Sequence, residues 1–127
     1  MYSACVFNYE AFKGKKTESK VHLYFRLVKA KNLLDYNIAR NWRMGELAKQ
    51  AAISECHFIR KFQQAFGSSP HRYQVNMKLD LSAQLLLSNN ITVNEIAFIA
   101  GFSDIHSFSK SFKKKFGLCP TKYKEAK

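Results

Sequence analysis

Acidic residues are scarce in this chain: nine Asp and Glu stand against twenty-one Lys and Arg, for a formal charge of +12 over 127 residues. Such a balance raises the local concentration of any polyanion, with nucleic acid the first expectation and an anionic membrane the weaker one. Cysteines number only three, and Cys5, Cys56 and Cys119 lie far apart. They form no CxxC pair, zinc-ligand spacing or disulfide framework, which fits a reducing cytosol and predicts a cytoplasmic protein. No apolar run approaches the ~18 residues of a membrane span, and no long apolar stretch leads to a small-residue cleavage site.

Catalytic patterns are missing as well. His22, His57, His71 and His106 have no HExxH or other ligand spacing with carboxylates, and there is no GxGxxG, Walker loop or nucleophile elbow. Cys56 stands beside His57, but neighbours on a helix point about 100° apart, and no orienting acid is evident. The sequence therefore predicts no catalytic residue, no metal site and no cofactor.

What is present is a large apolar fraction, 46%, with eleven Phe and six Tyr, enough for a packed interior. The length suits one domain or two very small subdomains. Residues 1–19 read as a poorly ordered arm in which Cys5–Tyr9 could make a short strand. From about Lys20 to Asn37, Leu23, Leu27, Ala30 and Leu34 recur at helical spacing, predicting a first helix ending near Ala39. Met44, Leu47, Ala48 and Ala51 form the stripe of a short second helix, followed by a tight turn through Ala52 and Ile53. Ser54 is placed to cap the third, with Glu55 in its first turn, Phe58, Phe62 and Phe66 facing inward, and Gly67 as its stop.

Pro70 opens a longer helix to about Leu87, with Tyr73, Met77, Leu81 and Leu85 along one side. Val75, Leu79, Ser82 and Leu86 widen that stripe. Thr92 and Glu95 make a capping box for the next helix, anchored by Ile96, Ala97 and Ile99. Gly101 supplies a turn, Phe102 a hydrophobic plug, and Ser103 the next cap, with Asp104 in the first helical turn. Phe108, Phe112 and Phe116 repeat the earlier spacing, Gly117 ends the helix, and Pro120 to Tyr123 start a short closing one. The pattern is all-α, about seven helices: two helix-turn-helix subdomains joined by a central linker helix. The divisions fall at 20–69, 70–89 and 90–127.

Helices that hide a Phe stripe turn their other residues outward. The first outward surface offers Glu55, Cys56, His57, Ile59, Arg60 and Gln63; the second offers Asp104, Ile105, His106, Ser107, Lys110, Ser111 and Lys114. Arg60 is the leading candidate for a base contact, because its rigid fork matches two acceptors on guanine. Lys110 suits guanine or phosphate, His106 and Ser107 are small hydrogen-bonding readers, and Ile59 and Ile105 either touch thymine methyls or complete the core. Residues 81–109 carry no Lys or Arg, after which Lys110, Lys113, Lys114 and Lys115 arrive together. Standing alone, a lysine run is a solvated face; directly after a predicted recognition helix it supplies salt-dependent phosphate contacts. Ser54, Ser103 and Ser111 join Lys113, Lys114 and Lys115 as phosphate-contact candidates. The competing reading is a basic helical interaction module that binds an acidic partner protein and has only non-specific DNA affinity.

Glu95-Ile-Ala97, Gly101-Phe-Ser-Asp104, Phe108, Phe112-Lys113, Phe116-Gly117, Pro120 and Tyr123 together resemble the DNA-binding domain of the AraC/XylS family of bacterial transcription regulators. Leu47-Ala48, Ser54, Phe58, Arg60, Phe62, Gly67, Pro70 and Tyr73 match the family's first half, and Lys78-Leu79 with Leu85-Leu86 its central helix. The resemblance covers roughly residues 30–124. It implies recognition helices at 54–66 and 103–116, entering successive major grooves about 34 Å apart on one face of double-stranded DNA. It also implies transcriptional activation, RNA polymerase as a further partner, and a separate N-terminal effector or dimerisation domain, for which about thirty residues leave too little room. The chain is then a small stand-alone regulator or a C-terminal fragment of a longer one. Three residues depart from the family pattern. Ala52 stands where a turn Gly is usual, Lys78 where an Arg is, and Ser82 where an Ala is. The first leaves open whether that turn keeps a positive φ, the second weakens any bidentate ion pair, and the third needs a backbone acceptor if buried.

Overall fold

A computed structural model describes residues 17–88 and 90–126. The expectations for the arm up to residue 16, its strand included, lie outside the described residues. Among the described residues there are seven helices and no strand: α1 (Thr17–Tyr36), α2 (Met44–Gln50), α3 (Glu55–Phe66), α4 (Pro70–Leu86), α5 (Val93–Ile99), α6 (Ile105–Phe116) and α7 (Pro120–Ala126). No helix among them is long and apolar enough to cross a membrane.

The chain divides into two compact units. The first takes the described residues up to Asn37 together with Trp42–Gln74, the second Ile38–Asn41 and the described residues from Val75 onward. The opening turn of α4 thus belongs to the first unit and the rest of that helix to the second.

In the first unit α1 packs on α2 and α3, and α2 on α3. Leu27, Ala30 and Leu34 give α1 its buried stripe, and Leu47, Ala48 and Ala51 do the same for α2. Phe58 and Phe62 of α3 are fully buried, each worth about 1.5–3 kcal/mol relative to an exposed ring. Tyr73 packs its ring edge-on against Phe62, at 5.9 Å between centroids, and donates its hydroxyl to Asp35 on α1. α1 starts at Thr17 and stops at Tyr36, rather than running to Ala39, where the Asn37 side chain donates to the Leu33 carbonyl at 3.0 Å. That side chain does the work of the next helical N–H, so the helix ends there.

The second unit repeats this plan. Its core is Leu79, Leu86, Ile96, Ala97, Phe108 and Phe112, with Phe102, Phe116 and Tyr123 packed against it. The Gly67, Pro70 and Tyr73 that close α3 and open α4 recur at one constant offset as Gly117, Pro120 and Tyr123, which close α6 and open α7. Tyr123 meets Phe112 edge-on at 5.1 Å, as Tyr73 meets Phe62. Two burial expectations need correction. Ile99 is 44% exposed, because the buried stripe of α5 runs through Ile96 and Ala97 to Ala100 and passes it by. On α4 the buried residues include Tyr73, Gln74, Met77, Lys78, Leu79, Ser82 and Leu86, while Leu81 is only half-buried and Leu85 is half-buried but packed against the core. Buried Ser82 finds its acceptor locally, donating to the Lys78 carbonyl at 2.8 Å.

Candidate nucleic-acid interface

Each unit presents one helix of twelve residues, α3 or α6, that buries a Phe stripe and leaves the opposite side polar. The turns leading into them are built alike. After α2, Ala52 N–H donates to Lys49 O and Ile53 N–H to Ala48 O; after α5, Gly101 N–H donates to Phe98 O and Phe102 N–H to Ala97 O. This crossed pair of bonds requires a left-handed residue just past the helix end. Gly101 takes that conformation at φ +92, and Ala52 takes it at φ 59, so the first turn keeps its positive φ despite the alanine.

The turns differ in length by one residue. Ala52 and Ile53 separate Ala51, the C-cap of α2, from the cap Ser54, whereas Gly101, Phe102 and Ser103 separate Ala100, the C-cap of α5, from the cap Asp104. The expected cap Ser103 and the expected start of the recognition helix at 103 are therefore corrected: Asp104 is the cap and α6 begins at Ile105. Ser103 has shifted one place ahead, and its hydroxyl donates to Asp104 at 3.4 Å. Asp104 Oδ1 accepts from Ser107 N–H at 2.7 Å and Oδ2 from the Ser107 hydroxyl at 3.1 Å. These bonds, the backbone one first, hold the Asp104 carboxyl below its ordinary pKa. Ser54, by contrast, takes a single bond from His57 N–H at 3.3 Å.

The outward face of α3 is formed by Glu55, Cys56, Arg60, Gln63 and Gln64, all exposed, with His57 and Ile59 half-buried at its margins. A shallow depression runs along it, lined by Cys56, Ile59, Arg60, Gln63 and Gln64. Gln64 was not among the sequence candidates; its place one turn beyond Arg60 was the available signal. Glu55 leans back onto α2, its carboxylate oxygen 3.0 Å from where a Cβ on Gly45 would stand. A fork on Arg60 and amides on Gln63 and Gln64 give this face both donors and acceptors for base edges.

The outward face of α6 carries His106, Ser107, Lys110, Lys113 and Lys114, all exposed, with Ile105 and Ser111 half-buried. Here cations dominate, a chemistry suited to phosphate. Lys115 turns elsewhere: its ammonium lies 2.6 Å from Asp80 Oδ1 on α4 and donates to the Asn76 carbonyl at 3.2 Å. Asp104 and Ser107 are bonded to each other, so their polar groups are already part of the helix cap.

Several positioning contacts join residues far apart in the sequence. Trp42 N–H donates to Gln74 Oε1 at 2.7 Å and Trp42 O accepts from Gln74 Nε2 at 3.2 Å, a reciprocal pair that fixes the approach to α2. Lys78 is 5% exposed and donates to Gly101 O at 3.4 Å; burial pushes its pKa down. In place of the bidentate pair an arginine would make, a single lysine bond reaches the turn. Lys124 donates to the Ile91 carbonyl at 3.2 Å and ties α7 to the start of α5. Cys56 and Cys119 are free thiols, and among the described residues no group of His, Cys, Asp and Glu gathers to hold a metal ion.

A family model described as a helix-turn-helix domain matches residues 47–126. The "Probable transcriptional regulator LumQ" of Photobacterium leiognathi is 29% identical over 112 residues, covering 88% of this chain and 43% of that protein. An HTH-type transcriptional regulator of Haemophilus influenzae is 35% identical over 86 residues, covering 68% of this chain and 29% of its own length. The chain thus spans less than half the length of these curated relatives. Among solved structures, the DNA-binding domain of AdpA, crystallised with a target DNA, superposes with a TM-score of 0.76 at 23% identity, over 80% of this chain and 91% of that one. An AraC-type DNA-binding-domain protein from Chromobacterium violaceum gives 0.70 at 25% identity, over 79% and 89%. Nothing in these likenesses favours a protein-docking module.

Proposed function

Since the chain belongs to the AraC-type helix-turn-helix family of DNA-binding transcription regulators, we propose that it reads one asymmetric operator with α3 and α6 in successive major grooves. The observation that carries this reading is the repetition itself. Two units of one build each cap a twelve-residue helix and turn its polar face to solvent. A single protein-docking patch has no use for such a pair. Within the reading, Arg60 with Cys56, Ile59 and Gln63 contacts base edges, joined on α6 by His106 and Lys110. Lys113, Lys114 and the N–H groups at the helix starts hold phosphates. AdpA, a relative in fold, is held on its target DNA, which supports duplex DNA as the ligand.

Selection of the preferred duplex from random DNA at physiological salt, followed by footprinting, tests the proposal. The expected result is protection of two major grooves on one face, with an enriched base sequence in each. Uniform protection without enrichment would sink it. We propose activation through RNA polymerase as the regulatory sense. A reporter behind the selected site is expected to rise with the regulator, and a fall would reverse that assignment.

A further inference from the structure

The lysine run at the end of α6 is not uniform. Lys113, Lys114 and Lys115 are successive, so their side chains leave the helix about 100° apart. Lys115 follows buried Phe112 by three positions, which sets it at the edge of the packed face beside α4. Asn76 and Asp80 are four apart on α4 and therefore stand one above the other. The Lys115 ammonium sits between them, 2.6 Å from Asp80 Oδ1 and 3.2 Å from the Asn76 carbonyl oxygen, and 5.4 Å from the centre of the Phe116 ring. An ammonium has three N–H donors. Two are engaged by oxygens of α4, and the Phe116 ring lies beside the ammonium of a side chain that is 29% exposed.

We propose that Lys115 is a positioning residue, not a phosphate ligand: with Asp80 and Asn76 it fastens the last turn of α6 to α4 and fixes how α6 offers Lys110 and Lys114 to DNA. A phosphate drawing Lys115 away would also have to approach the Asp80 carboxylate, a like charge. Among the described residues Lys114 has no such carboxylate partner, which makes it the cation to compare with Lys115. The inference rests on the DNA-binding reading above, and its test separates the two.

Binding of the selected duplex is titrated against salt for the native chain, Lys115→Met, Asp80→Asn and Lys114→Met, with circular dichroism as the check on folding. Lys115→Met and Asp80→Asn are each expected to weaken binding about two- to fivefold, the range of a partly exposed ion pair, and to leave the salt slope at its native value. Lys114→Met is expected to lower the slope by about 0.9. A comparable fall in slope for Lys115→Met, or tighter binding by Asp80→Asn, would overturn the proposal, since both are signs of a phosphate ligand held back by a carboxylate. If the native chain binds no duplex, the operator reading fails and the fastening is judged by a double-mutant cycle in denaturant. Coupling between positions 80 and 115 supports it, and strict additivity overturns it.

Discussion

The first turn holds Ala52 at φ 59 where the second holds Gly101 at φ +92. The backbone problem is shared, but the surroundings differ. Gly101 faces the chain: a Cβ there would stand 2.3 Å from the Ala39 carbonyl oxygen and 3.2 Å from the Lys78 side chain. Ala52 is exposed, so its methyl meets solvent and only the torsional penalty remains. The helix starts diverge in the same direction. Ser54 accepts one bond, while Asp104 gathers three donors and adds a negative charge at the positive end of its helix. The second unit is the more tightly specified of the two at its turn and cap. The first carries the more varied reading face, with Arg60, Gln63 and Gln64 against the lysines of α6.

If that contrast is right, Gly101→Ala is the most damaging single change. It combines left-handed strain with overlap against a backbone carbonyl and should destabilise the fold by about 2–5 kcal/mol, as measured by denaturant unfolding. A loss below ~1 kcal/mol would mean the Ala39 segment yields easily. Next in size is Arg60→Ala, expected to remove about 1–3 kcal/mol of discrimination between the selected duplex and one altered at the contacted guanine. Lys113→Ala should mainly lower the salt slope. Equal losses on both duplexes for Arg60→Ala would erase the contrast between the faces.

The caps give a smaller effect. Ser54→Ala should cost about 1 kcal/mol, and Asp104→Ala should cost more than Ser54→Ala in the same unfolding assay. Acid sharpens this comparison. Asp104 and Glu95 both have carboxyls held below their unfolded pKa, Glu95 by the N–H and then the hydroxyl of Thr92. Their stabilisation is fully present above about pH 4 and is lost as pH falls through the folded values. The protection of the Ser107 amide, taken relative to its intrinsic exchange rate, should therefore fall below about pH 4, while that of the His57 amide, bonded to a serine hydroxyl, is kept. The smallest effect has the opposite sign: Ala52→Gly should raise stability by about 0.5–1 kcal/mol by relieving the left-handed alanine. A decrease would show that the methyl has a packing role.

Most of the fold was legible because its signals are local. The Phe stripes, the Thr92–Glu95 box, and the glycines after α3 and α6 each lie within a turn or two of what they control. The errors have physical causes. Ser103 resembles Ser54 in its distance from the preceding helix, and only the extra residue in the second turn moves capping to Asp104. Lys115 reads as one cation of a run because Asp80 is 35 positions away, and the Trp42–Gln74 pair joins residues 32 apart. The positive φ of Ala52 was undecidable from its identity, since the crossed hydrogen bonds that impose it are a property of the whole turn.

The Ala39–Gly101 approach has a consequence for how the chain tolerates mutation. Residue 39 takes part through its main-chain oxygen alone, so side-chain identity there is nearly irrelevant to the fit. Residue 101 is admitted only if it has no side chain at all. In a saturation-mutagenesis map these touching positions would stand at opposite extremes, one permissive and one closed. Ranking positions by variability would therefore overlook half of the contact.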